Sequence, residues 1–96
     1  MTPAALDEHK LRLAVEIVAR FSAKQIRAHS LANLYRWKQA GTWGSAYREW
    51  EDLLSREDDG ELFAILLGRD DRANRLRQSP PYVGLLPGAE VKRLNE

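Results

Sequence analysis

Apolar positions in the first part of the chain recur at helical spacing. Leu6, Leu13, Ile17 and Phe21 fall on one face, and Leu11, Val15 and Val18 widen it. A helix apolar over so much of its circumference is expected to be covered on more than one side. Thr2-Pro3 supplies its start, an N-cap hydroxyl followed by proline at the first helical position, with Asp7 and Glu8 near that end. Ser22-Ala-Lys-Gln25 reads as a capping box, and Phe21 with Ile26 as the matching hydrophobic staple. A second helix is therefore predicted from Ala23 to a left-handed stop at Gly41.

Beyond Gly41, Trp43, Tyr47, Trp50 and Leu54 form an aromatic-rich stripe for a third helix, with Thr42 or Ser45 available to cap it. Asp58-x-x-Glu61 resembles an N-cap with its box partner, ahead of a short apolar helix over Leu62–Leu67 that ends at Gly68. Asp70 can cap a fifth helix running to about Gln78, which Ser79-Pro80-Pro81 must terminate. Tyr82–Gly88 is predicted to be extended or turn-like, and Ala89–Leu94 to form a last short helix. No strand-period pattern is present apart from ambiguous short apolar runs. The pattern predicts an all-α fold, a bundle of five to six short-to-medium helices over 1–96 with a proline-containing C-terminal strap over 79–96.

Composition supports folding: 44% of the 96 residues are hydrophobic, enough to argue against intrinsic disorder. A chain of this length buries roughly 60–65% of its unfolded surface, so its core is modest. No cysteine is present, which removes disulfides, thiolate catalysis and cysteine-based zinc sites and fits a reducing compartment. The longest apolar run, Leu62–Leu67, is far short of the ~20 residues that span a bilayer. No basic segment followed by an apolar stretch marks a secretory signal, and a cytoplasmic protein without membrane contact is expected.

Charge changes the picture more. The net charge is +1, yet no acid occurs from Ile17 to Arg48, where Arg20, Lys24, Arg27, Arg36, Lys38 and Arg48 are all basic. From Glu49 to Glu61 seven acids face the single Arg56. A near-neutral total thus conceals segregated charge.

Reaction chemistry finds little support. His9 and His29 stand twenty residues apart on different predicted helices, without the spacing that converges on a metal. Glu57-Asp58-Asp59-Gly60-Glu61 lacks the alternating oxygen ligands and distal glutamate of a calcium loop. Gly41 and Gly44 sit in no phosphate-binding motif, and no nucleophile elbow accompanies Ser30 and His29. No metal, cofactor or catalytic residue is expected.

Two surfaces are candidates for contact. On the second helix Ile26, Leu34 and Trp37 share the core side, while Leu31 and Tyr35 lie away from it among Lys24, Arg27 and Lys38. Either a flanking helix covers them or they form an aromatic anchor in a basic surround. The second surface is the segment Asn74–Pro87. Its adjacent prolines stiffen the backbone, Tyr82 supplies an apolar side chain, and Arg75 and Arg77 can meet carboxylates. That segment is either a strap packed on the first helices or a clamp for a partner.

Gln25-Ile-Arg27 with Leu31-Ala-Asn-Leu-Tyr-Arg-Trp37, and Asn74-Arg-Leu-Arg-Gln-Ser-Pro-Pro-Tyr82 with Gly84-Leu-Leu-Pro87, resemble stretches of small bacterial proteins encoded beside nucleotidyltransferase-like toxins. These stretches cover a minority of the chain and contain no catalytic signature. The resemblance implies a cytoplasmic antitoxin that neutralises its toxin by direct contact, and it assigns no residue a role. The leading expectation is a protein-interaction module using Leu31, Tyr35, Arg36, Trp37, Arg75, Arg77 and Tyr82. The alternative is a small nucleic-acid-binding protein using Lys24, Arg27, Arg36, Lys38 and Arg48. A homodimer is compatible with either.

Overall fold

The first helix starts where its cap dictates: Thr2 Oγ1 accepts from the Ala5 amide (3.1 Å), with proline in the first turn, and α1 runs Pro3–Arg20. The structure, a computed structural model, describes residues 2–94; residue 1 and the last two residues of the strap expected over 79–96 lie outside them. Five further helices follow: α2 Ala23–Gln39, α3 Ser45–Ser55, α4 Asp59–Leu67, α5 Asp71–Arg77 and α6 Gly88–Leu94. No strand occurs among the described residues, so the fold is an all-α bundle.

Both arms of the capping box at α2 are made: Ser22 Oγ accepts from the Gln25 amide (3.1 Å) and the Ser22 amide donates to Gln25 Oε1 (2.9 Å). At the other end Gly41 adopts φ +83°, the Thr42 amide donates to Trp37 O (2.8 Å) and the Gly41 amide to Lys38 O (3.2 Å). That pair of bonds is a Schellman closure. It commits the Thr42 backbone to ending α2, and neither Thr42 nor Ser45 caps α3, whose N-cap is Gly44 without a side-chain bond. At α4, Asp58 Oδ1 caps the Glu61 amide (3.1 Å) as expected. The reciprocal arm is missing, because the Glu61 carboxylate is held by Arg56 (Nε to Oε2, 3.1 Å). Asp70 occupies the N-cap position of α5 without a side-chain cap bond.

The core gathers Ala14 and Ile17 of α1, Ile26 and Leu34 of α2, Trp50, Leu53 and Leu54 of α3, and apolar residues of α4, α5 and the strap. The Cα radius of gyration is 12.8 Å, against about 13 Å for a compact 100-residue domain, and α6 adds no buried residue to that core, only the partly buried Val91 and Leu94 at its edge. α1 packs on α4 and α5 with one side and on α6 with another. Its cover is incomplete, since Leu6 and Val15 stay exposed.

α3, α4 and α5 span only 11, 9 and 7 residues, so a large share of their carbonyls lies in last turns without an intrahelical donor. Side chains from elsewhere answer this. Arg27 Nε donates to Leu54 O at the end of α3 (3.1 Å), and Trp50 Nε1 donates to Leu76 O near the end of α5 (2.9 Å). Arg77 Nη1 reaches Ile65 O (2.7 Å) and Leu66 O (3.3 Å) at the end of α4.

Candidate functional site

The seven residues expected at a partner contact do not form one surface. Tyr82 is 1% exposed, packed edge-on against the Trp50 ring with centroids 6.0 Å apart. Arg77 is also 1% exposed and bonded to the α4 carbonyls and to Asn74 Oδ1 (2.6 Å). Both expectations are therefore corrected: these residues are interior, because the stiff Pro80-Pro81 turn folds the strap inward and α4 needs donors at its end. The strap is anchored from α2. Asn33 Nδ2 donates to Pro81 O (2.9 Å) and Val83 O (2.8 Å), and His29 Nε2 donates to Val83 O (2.7 Å). Gly84, at φ +92°, lies so close to the His29 ring that a Cβ there would sit 3.2 Å from Nε2.

Interior burial shifts two groups. Desolvation pushes the Tyr82 phenol well above its ordinary range, with the Arg77 charge opposing it, and desolvation lowers the Arg77 guanidinium. Among the described residues Tyr82 Oη, Arg77 Nε and Ser30 Oγ are buried without a hydrogen-bond partner. At the surface, the Glu61 carboxyl is held below the usual range by its hydrogen bond from Arg56.

Leu31 and Trp37 are half-buried at the edge of the core. The Trp37 ring meets Tyr47 at a tilt, centroids 5.2 Å apart, Tyr47 meets Trp43 at 6.0 Å, and Lys38 Nζ stands 5.0 Å over the Trp43 ring. Arg75 is exposed but engaged, its Nη2 lying 2.9 and 3.2 Å from the two Glu49 carboxylate oxygens. Tyr35 differs from all of these: 64% of its surface is exposed.

The basic residues divide in the same way. Arg27 pairs with Asp59 (2.8 Å) while capping α3, Lys38 reaches Glu51 (3.4 Å), and Arg20 pairs with Glu16 (2.7 Å) and Glu90 (3.3 Å). Much of the charge segregation in the sequence is thus cancelled across the folded chain. Lys24, Arg36 and Arg48 are exposed and in no ion pair among the described residues, Arg36 donating to Asn33 Oδ1. Of the five bases proposed for nucleic acid, Arg27 is mostly interior and Lys38 is shared with Glu51 and Trp43.

What remains is the outer side of α2. α2 packs chiefly on α3 and on the strap, and Lys24, Gln25, Ala28, Ala32, Tyr35, Arg36 and Gln39 all face outward. Sequence reading identified Tyr35 there but passed over Ala28 and Ala32, although the phase of 100° per residue places both beside it. A separate cavity of about 350 Å³ opens between α1, the strap and α6, lined by Leu13, Ile17, Tyr82, Val83, Leu86 and Val91. It has no charged side chain to orient a ligand. No group of three or more His, Asp or Glu able to hold a metal occurs among the described residues, and no helix there is long and apolar enough to cross a membrane. No protein-family model, curated protein or solved structure matches the chain.

Proposed function

We propose that this protein is a cytoplasmic protein-interaction module whose contact face is the outer side of α2, with Tyr35 as the anchor. The observation that carries this reading is the 64% exposure of Tyr35 on a helix without a single acid. Tyrosine and arginine are enriched among residues that dominate binding energy. A rigid ring offers 150–250 Å² of contact surface at little entropic cost. Arg36 lies next to it and Lys24 about 16 Å away along the helix, and neither is in an ion pair among the described residues, so both can meet carboxylates.

In its specific form, implied by the resemblance in Gln25–Trp37 and Asn74–Pro87, the protein is a bacterial antitoxin that neutralises a nucleotidyltransferase-like toxin by direct binding. The test is co-expression with a nucleotidyltransferase-like protein encoded beside its gene, followed by size exclusion. One shared peak, split by Tyr35→Asp, supports both the function and the face. Two separate peaks for the unaltered protein sink the toxin version. A shared peak that survives Tyr35→Asp removes α2 as the contact.

Nucleic-acid binding is the second reading, favoured by Lys24, Arg36 and Arg48, which are exposed and in no ion pair among the described residues. It predicts retardation of DNA or RNA with a salt slope no steeper than about −3, since each neutralised phosphate contributes about −0.9. No retardation at low salt ends it.

A further inference from the structure

We infer that the occupant of the α2 face is an amphipathic helix of another protein, carrying an apolar seam with carboxylates toward both ends. This rests on the reading of α2 as the contact face and adds the chemistry of the partner.

The side chains of α2 form two neighbouring rows at i, i+4 spacing. One is Leu31, Tyr35 and Gln39, where the exposed tyrosine stands out as a ridge. The other is Lys24, Ala28, Ala32 and Arg36, all exposed: a low trough with a cation at each end. Twelve residues at about 1.5 Å rise separate those cations by about 18 Å, three turns of a facing helix. Helices pack by setting a ridge of one into a groove of the other at axial distances of about 8–10 Å. The trough beside Tyr35 is such a groove, and its two methyl groups offer a flat apolar floor without hydrogen-bonding demands.

Charge selects among occupants. A second copy docked through this same patch would set Lys24 and Arg36 against cations, because a two-fold interface pairs a patch with itself and no acid lies between Ile17 and Arg48. Of the five bases proposed for nucleic acid, Arg27 and Lys38 are held by acids. This trough offers a phosphate backbone just two cations without an ion pair among the described residues, Lys24 and Arg36, whereas a binder with strongly salt-dependent affinity makes about 6–10 phosphate contacts. A helix with carboxylates about three turns apart matches both cations and leaves the middle of its seam for Ala28, Ala32 and Tyr35.

The test uses the ¹⁵N-labelled full chain and four probes: an 18-residue helical peptide with a Leu/Ala seam flanked by Glu, the same peptide flanked by Lys, an 18-nucleotide single strand, and dilution of the protein itself. The Glu-flanked peptide is expected to shift amide resonances within residues 24–39. Its affinity should fall at least tenfold in Tyr35→Ala and in the double variant Lys24→Glu, Arg36→Glu. That double variant should instead bind the Lys-flanked peptide. Equal binding of both peptides, shifts in α2 only with the nucleic acid, or shifts there on dilution would overturn the inference while keeping α2 as a contact face. Silence of α2 toward all four probes overturns it as well, and the co-expression experiment with Tyr35→Asp then decides separately whether α2 touches a protein at all.

Discussion

Tyr82 shows how one residue can be held in place by its ring and opposed by its hydroxyl. The ring is packed against Trp50, while Oη has no partner among the described residues. A buried hydroxyl without a hydrogen bond costs about 1–3 kcal/mol. Tyr82→Phe is therefore expected to leave stability unchanged or raise it by about 1 kcal/mol, measured by urea unfolding at pH 7. A loss of that size would mean the hydroxyl is bridged by water. Alkali supplies a second readout. Burial raises the folded-state pKa above the ordinary value of about 10, so between that value and the raised one the unfolded chain loses this proton and the folded chain keeps it. Stability from Tyr82 is thus complete below about pH 10 and falls above it, by up to tenfold in the folding equilibrium per pH unit. The Phe variant should lose that part of the alkaline decline. For Tyr82 the sequence leaves a packed strap and a partner clamp both open, and its burial decides for the strap, whereas Arg77 could not be recognised as interior. Polarity at a position reveals nothing about a distant helix end that needs a donor.

At the scale of elements, the junction of α3 and α4 is the most informative. Arg27 crosses it, donating to Leu54 O and pairing with Asp59. With its side chain only 13% exposed, Arg27→Ala leaves the last turn of α3 without its donor and is expected to cost about 1.5–3 kcal/mol. Arg27→Lys should recover little, since an ammonium concentrates its donors on one nitrogen and cannot span the Leu54 carbonyl and the Asp59 carboxylate as Nε and Nη2 of the guanidinium fork do. In the same junction Glu57 adopts φ +57°, a left-handed conformation that costs a side-chain-bearing residue about 1–2 kcal/mol. Glycine regains most of that and gives part back as chain entropy, so Glu57→Gly should raise the unfolding midpoint, by about 0.5–1 kcal/mol in free energy. The starts of α1 and α2, the stop at Gly41 and the break at Pro80-Pro81 were all legible, because each depends on residues within one turn. The start of α3 and the missing half of the box at α4 were not. There a local rule lost to a competitor: the Schellman closure took the Thr42 backbone, and Arg56 took Glu61.

At the scale of the whole molecule, folding sorts the charges that the sequence segregates. The acidic stretch from Glu49 to Glu61 receives Arg75, Lys38, Arg27 and Arg56 on Glu49, Glu51, Asp59 and Glu61. Two of these bases lie in the acid-free stretch, so its excess shrinks toward Lys24, Arg36 and Arg48. The candidate contact face was legible in part: helical phase put Tyr35 outside the core, whereas the pairing of Arg27 and Lys38 required knowing that α3 and the start of α4 lie within reach of α2. This division leads to a separation between folding and binding. Tyr35 is 64% exposed and absent from the core, and substitutions at such positions usually change stability by less than about 0.5 kcal/mol. Tyr35→Asp should therefore unfold with the unaltered protein in thermal melts, yet fail to share a size-exclusion peak with the partner. Trp37→Ala should do the reverse in the first respect. Its ring packs on the core and on Tyr47, so its loss should lower the melting temperature and confound any binding defect. If Tyr35→Asp also melts early, the ring is part of the fold, and α2 loses its claim as the contact face.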